Sequence, residues 1–158
     1  MKKLPWKSYI LWILLAESAG GLSAWLTREG SKLFNTFAKQ PPLSPPSIVF
    51  PIVWSILYLF MGISAARISN STLSSARSQG LNLFILQLTI NFIWSLIFFN
   101  AQAYGLAFIL LLILWLLVFF MIRSFRKTDL LASKLQIPYL IWLTFAAYLS
   151  FGVWYLNR

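Results

Sequence analysis

Gln87, Asn91 and Ser95 stand at four-residue intervals in an otherwise apolar stretch, with Trp94 and Phe98 beside them. On a helix this spacing puts three hydrogen-bonding side chains and two rings on one stripe. Amides facing hydrocarbon are costly, so the stripe turns inward, where it either bonds to neighbouring helices or lines a cavity. Phe50, Trp54, Tyr58 and Met61 form a second stripe, and Pro138, Trp142, Phe145 and Leu149 a third. Aromatic stripes alone are usually packing or lipid contact. Three of them around polar amides would enclose a flat, aromatic-walled cavity with a few orienting hydrogen bonds, the build of a site for a large planar ligand.

Glu17 is the one carboxylate within a long apolar run. Three roles stand open for it: binding a cation or proton in a transporter, bonding to a ligand, or sitting protonated against a neighbouring helix. Ala16, Gly20 and Ala24 make a ridge of small residues that lets another helix approach, a packing signal. Glu29 and Asp129 fall in separate connections, and neither pairs with Glu17 for acid/base work. The chain has no Cys and no His, which removes thiol chemistry, imidazole catalysis and the usual zinc ligands. Neither a metal cage nor a phosphate loop is present, so no catalytic residue is assigned and no cofactor is required. Val153 to Arg158 fits a proposed cholesterol pattern that matches often by chance.

These residues must be positioned by membrane-spanning helices. Of the 158 residues, 59% are hydrophobic and 10% charged, against about one-quarter charged in a soluble domain. Five apolar stretches, residues 9–27, 47–66, 81–99, 103–122 and 135–155, each approach the length that crosses a bilayer core. Alternating strands of a barrel are absent, and backbone groups in lipid must bond within their own segment. The expectation is an all-α membrane protein, a single domain over residues 1–158 built as a bundle of five transmembrane helices. Lys2, Lys3 and Lys7 ahead of the first stretch, with Ser18, Ala19 and Gly20 after it, have a signal-peptide flavour, but apolar character resumes through Leu22 to Leu26 and favours a span.

The fourth stretch, with Leu110, Leu111, Leu112, Leu114 and Leu116, reads as the outer lipid-facing wall. Residues near 100–103 make so short a connection that the spans on either side must be antiparallel neighbours. The connection at 28–46 is longer, and its Pro41, Pro42, Leu43, Ser44, Pro45, Pro46 run suits a semi-rigid lid over the bundle mouth, or a plain linker ending in a helix stop. A net charge of +10 sits in the connections, nine cations on one side of the spans and four on the other. That placement fits a cytoplasmic N-terminus and anionic headgroups rather than nucleic acid.

The chain resembles the translocator protein family, also called TspO, tryptophan-rich sensory protein or peripheral benzodiazepine receptor family, from about Gln40 to Asn157. Three blocks carry the resemblance: Pro45-Pro46 and Phe50-Pro51 with Trp54, Tyr58, Met61 and Gly62; Gln87, Asn91, Trp94-Ser95 and Phe98-Phe99; and Pro138-Tyr139, Trp142, Phe145-Ala146 and Leu156-Asn157. It implies a five-helix bundle, often dimeric, in a membrane such as the bacterial cell membrane. A pocket under the first connection would bind porphyrins such as protoporphyrin IX, and isoquinoline carboxamide or benzodiazepine compounds; sterol binding is chiefly an animal trait. Carried over by position, Trp54, Gln87, Asn91, Trp142 and Ala146 would wall the pocket. Together with the stripes, the expected ligand-binding set is Phe50, Trp54, Tyr58, Gln87, Asn91, Trp94, Trp142, Phe145 and Ala146, under a lid of Pro41, Pro42, Leu43, Pro45 and Pro46. Gln87 stands where some members have Asn, and Leu43 where the family usually has Trp. The expected function is a porphyrin-binding membrane sensor or translocator. A small proton-coupled drug exporter using Glu17 is the alternative, and light-dependent porphyrin degradation an enzymatic third.

Overall fold

A computed structural model describes residues 5–158; Lys2 and Lys3, counted above among the cations, lie outside them. The described residues fold into seven α-helices: α1 Trp6–Leu26, α2 Arg28–Phe37, α3 Val49–Ser69, α4 Ser75–Ser95, α5 Tyr104–Arg126, α6 Leu130–Leu135 and α7 Ile137–Asn157. α4 runs on through a π-helical turn, Leu96–Asn100, so five long apolar rods result, each able to cross a bilayer. Leu11, Leu22, Ile109 and Ile141 are well exposed on these rods. In water they would form large apolar patches, and in lipid they meet their own kind. The protein is a five-helix membrane bundle.

The third span starts at Ser75 rather than 81. Its first turns, Ser-Ala-Arg-Ser-Gln-Gly, are too polar for hydropathy to register, yet the Ser74 side chain accepts the Arg77 N–H at 3.1 Å and starts the helix there. Likewise the last span reaches Asn157 and is preceded by the short α6, whose N-cap Asp129 accepts the Ala132 N–H at 3.0 Å. Asp129 also takes the Arg67 guanidinium at 3.0 Å, tying α3 to the α5–α6 corner. Burial works against the Asp129 carboxylate, but the Ala132 N–H and Arg67 outweigh it and hold its pKa below the ordinary value.

The expected lid loop at 28–46 is half helix, because Phe34 gives residues 28–37 an apolar contact to fold on while Glu29 and Lys32 stay in a loose, exposed pair. The fourth span is not simply an outer wall. α5 packs against both α4 and α7, with Leu111, Leu114, Val118 and Met121 fully buried, and only its other face, Leu112 and Leu116 among it, remains exposed. The short turn after Asn100 does make α4 and α5 antiparallel neighbours, with Gln102 in a left-handed conformation.

α1 lies closest to α3. A Cβ at Gly62 would overlap the Ile13 backbone and one at Gly20 the Tyr58 ring, so both glycines let the helices approach. The packing reading of the small ridge holds for Ala16, which is fully buried, and for Gly20. α3 and α7, by contrast, make almost no backbone contact and meet through rings, Phe50 to Trp142 at 5.9 Å and Trp54 to Tyr139 at 6.0 Å.

Candidate functional site

The polar stripe of α4 splits in two. Gln87, wholly buried, accepts the Tyr139 hydroxyl proton at 2.8 Å and points its Nε2 at the Met61 sulfur, 3.8 Å away. Asn91 donates to the Tyr139 oxygen at 2.9 Å and accepts a long 3.4 Å bond from Tyr58. A one-way chain results, Tyr58 to Asn91 to Tyr139 to Gln87, locking α3, α4 and α7 together. Gln87 lies at its dry end and does not border open space, so the expectation that it walls a pocket is corrected: it serves as helix-to-helix bonding.

Asn91, at the other end of the chain, borders a cavity of about 470 Å³. α3 supplies Phe50, Pro51, Trp54 and Tyr58; α4 and its π-turn supply Asn91, Trp94, Ser95, Phe98 and Phe99; α7 supplies Trp142, Ala146, Leu149, Ser150 and Val153. The structure thus gathers seven of the expected residues on one wall system, Phe50, Trp54, Tyr58, Asn91, Trp94, Trp142 and Ala146. Phe145 is not among them. It faces an outer groove between α3 and α7, because three residues on from Trp142 a side chain falls on the opposite flank of the stripe from Ala146, four residues on.

Trp54 is the hub of the aromatic lining, 5.7 Å from Tyr58 and 6.5 Å from Trp142, whose ring plane stands at 90° to it. Trp94 stacks on Phe98 at 5.2 Å, and Phe34 from α2 reaches Phe98 at 5.2 Å. The indole N–H groups of Trp94 and Trp142 and the Ser150 hydroxyl are buried without a partner among the described residues. Among the described residues one cation, Arg28, and no carboxylate line the space.

α2 and the segment after it close the mouth. Lys39 and Asn157 exchange two bonds, N–H to Oδ1 at 2.9 Å and Nδ2 to the carbonyl at 2.8 Å. Tyr148 donates to the Pro42 carbonyl at 2.7 Å, and Pro41 seats against Gly152. At the other side Asn100 donates to the Leu26 carbonyl at 3.0 Å. The segment expected as a lid lies across the mouth, with Pro41, Pro42, Leu43, Pro45 and Pro46 as its frame. The residues facing inward are Arg28, Ser31, Phe34, Asn35, Gln40 and Ser44. Leu43 is 81% exposed at a φ of 70° and does not line the cavity.

Glu17 is half-buried on α1, one turn short of the cavity wall, with no hydrogen bond or ion pair among the described residues. Sequence reasoning missed Ser23 on α1, Thr27 at the junction of α1 and α2, Phe34 on α2 and Ser150 on α7 as lining residues. Ser150 had a signal, lying four residues beyond Ala146 on the Trp142 stripe. Thr27 had none, since its hydroxyl is spent on the Ser23 carbonyl at 2.8 Å.

Comparison with known proteins bears on the same helices. The family model described as TspO/MBR family matches residues 11–156. The chain is 38% identical over 120 residues to Protein CrtK of Rhodobacter capsulatus, covering 75% of each chain. It is 31% identical to Tryptophan-rich protein TspO of Chlorobaculum tepidum, over 93% of this chain and 94% of that one. The Translocator protein of Ovis aries is also 31% identical, over 98% and 92% respectively. With the match running through every rod that lines the cavity, this chain belongs to the TspO/MBR family.

Proposed function

We propose that the cavity binds a planar hydrophobic tetrapyrrole of the protoporphyrin IX class, and that the protein works as a membrane sensor or translocator for it. The observation that carries this reading is the aromatic box. Trp54 and Trp142 stand at right angles, flanked by Phe50 and Tyr58, with the Asn91 amide as the polar contact. Ring faces and edges from two helices grip a flat ligand, and its polar rim finds few but directed partners. The names of two relatives, a tryptophan-rich sensory protein from Cereibacter sphaeroides and the sheep translocator protein, agree with sensing or translocation. Isoquinoline carboxamides and benzodiazepines, smaller and also aromatic, suit the same walls. The exporter alternative draws no support from Glu17, which stands off the wall.

Seven described cations, Lys7, Arg67, Arg77, Arg123, Arg126, Lys127 and Lys134, flank the end of the bundle opposite the lid, against Arg28, Lys32, Lys39 and Arg158 at the lid end. This bias supports a lid facing away from the cytoplasm. The test of binding is quenching of tryptophan fluorescence by protoporphyrin IX in nanodiscs. The Trp54→Ala/Trp142→Ala protein should lose affinity by at least about tenfold, roughly 1.4 kcal/mol for two lost ring contacts. Unchanged affinity in the double variant would sink the proposal.

A further inference from the structure

The cavity has two boundaries of very different strength. Its mouth is covered by α2 and the following segment, fastened through Lys39 to Asn157, Pro42 to Tyr148, Pro41 to Gly152 and Leu26 to Asn100. On its flank α3 and α7 share no direct hydrogen bond among the described residues; they are linked only through Asn91 and Gln87 of α4 and by Gln136 at the groove's end. There the backbones stay apart, and an apolar groove runs down the outer surface at bilayer depth.

Val53, Ile56, Leu57 and Phe60 form one side of that groove and Pro138, Ile141, Trp142 and Phe145 the other. Each set repeats at 3- and 4-residue steps, so two helix faces look at each other across it without interlocking. The groove ends where α6 ties the helices: Gln136 donates to Ser64 at 2.7 Å and to the Phe60 carbonyl at 3.2 Å. It is a window in the side of the bundle rather than a seam along it.

Trp142 is the residue that borders both spaces, the groove on one side and the cavity on the other. Its indole N–H has no partner among the described residues, so swinging the ring breaks no hydrogen bond there; ring contacts with Phe50, Trp54 and Phe145 hold it. Opening the mouth instead would break three or more directed bonds to the lid.

The geometry points to the α3–α7 groove as a lateral portal, through which a planar hydrophobic ligand dissolved in the bilayer core reaches the cavity by displacing the Trp142 ring. This rests on the tetrapyrrole reading of the cavity. The occupant is the cavity's own ligand because the groove is continuous with the cavity through one side chain, is apolar throughout, and opens on hydrocarbon, where such a ligand concentrates.

A portal controls rates and leaves the equilibrium alone, which gives a readout that a packing defect would not mimic. Ile56 and Ile141 are 48% and 66% exposed on the groove and do not touch the cavity. Ile56→Trp/Ile141→Trp should plug it. In nanodiscs, stopped-flow quenching by protoporphyrin IX should then show kon and koff both about tenfold slower, a barrier raised by roughly 1.4 kcal/mol, with Kd unchanged. A second protein, Tyr148→Phe/Asn157→Ala, loosens the lid and should leave both rates as in the parent. Unchanged rates in the plugged protein, or faster rates in the loosened one, would assign entry to the mouth and overturn the portal while leaving the binding reading intact. A plugged protein that pairs up and loses portal-speed exchange only on dimerising, as read by its sedimentation, would mark the groove as a contact between copies and also overturn it. Absence of any quenching in the parent protein is the separate result that removes the tetrapyrrole reading and the portal with it.

Discussion

Replacing Tyr139 by Phe removes one oxygen and nothing else, which makes it a sharp probe of the chain that locks α3, α4 and α7. That oxygen gives a 2.8 Å bond to Gln87 and takes a 2.9 Å bond from Asn91. Both partners are at most 1% exposed, so neither bulk water nor lipid replaces what Gln87 loses, and Asn91 has only the cavity beside it to turn to. A net value of about 1 kcal/mol for each bond, and of about 1–3 kcal/mol for each polar group left stranded, brackets the cost between roughly 2 and 6 kcal/mol. Measured interhelical bonds in membranes average nearer 0.6 kcal/mol, because separated helices find other partners, so about 2 kcal/mol is expected. Tyr58→Phe is the internal control. It deletes only a 3.4 Å bond and should cost less than about 0.5 kcal/mol. Equilibrium unfolding in mixed micelles, followed by near-ultraviolet circular dichroism, measures both. If Tyr139→Phe is as stable as the parent, or Tyr58→Phe costs as much, the directed chain is not what holds these helices in place.

Two other outcomes follow from the packing and the corner charge. Gly62→Ala drives a methyl into the Ile13 backbone and should destabilise the bundle by about 1–3 kcal/mol, whereas Gly21→Ala, with open space around it, should be neutral or gain up to about 1 kcal/mol in helix propensity; micellar unfolding separates them. Asp129 is an acid whose folded pKa lies below its unfolded value of 3.8, so its contribution is present above about pH 4 and disappears as pH falls through the folded pKa. Asp129→Asn should therefore cost about 1 kcal/mol at pH 7, discounted for the partial exposure of the Arg67 pair, and the gap to the parent should close in acid; a gap that widens there refutes the assignment.

The spans were legible because bilayer thickness writes itself into apolar run length, and the aromatic stripes because helical period writes itself into spacing. Depth along a helix leaves no such mark. Gln87 and Asn91 share a face and differ by one turn, about 6 Å, yet only Asn91 reaches the cavity. Rotation within a stripe is nearly as silent: Phe145 and Ala146 are adjacent in sequence, about 100° apart around α7, and border different spaces. α2 escaped notice because ten amphipathic residues have no bilayer-length signature, and its apolar side is anchored by Phe34 among the rings of Phe98, Phe99 and Tyr104. The family resemblance implied a cavity under the first connection, but the division of labour between the proline frame and the inward-facing α2 has no counterpart in residue spacing.

The π-turn at Leu96–Asn100 is a shift of phase. The Ala101 N–H reaches back to the Leu96 carbonyl at 3.1 Å, five residues rather than four, so the rod carries about one residue more than a regular α-helix of its length would hold. Everything beyond the turn lags in rotation by about one position. That lag lets Phe98 and Phe99 both meet Phe34, and it aims Asn100 at the end of α1. Such a turn has the form of a single-codon insertion tolerated in place, and trimming one residue between 96 and 100 would restore regular winding at the cost of swinging Asn100 off Leu26. The seating of the lid on the bundle thus depends on a miscount of one, kept where the ring cluster can absorb it.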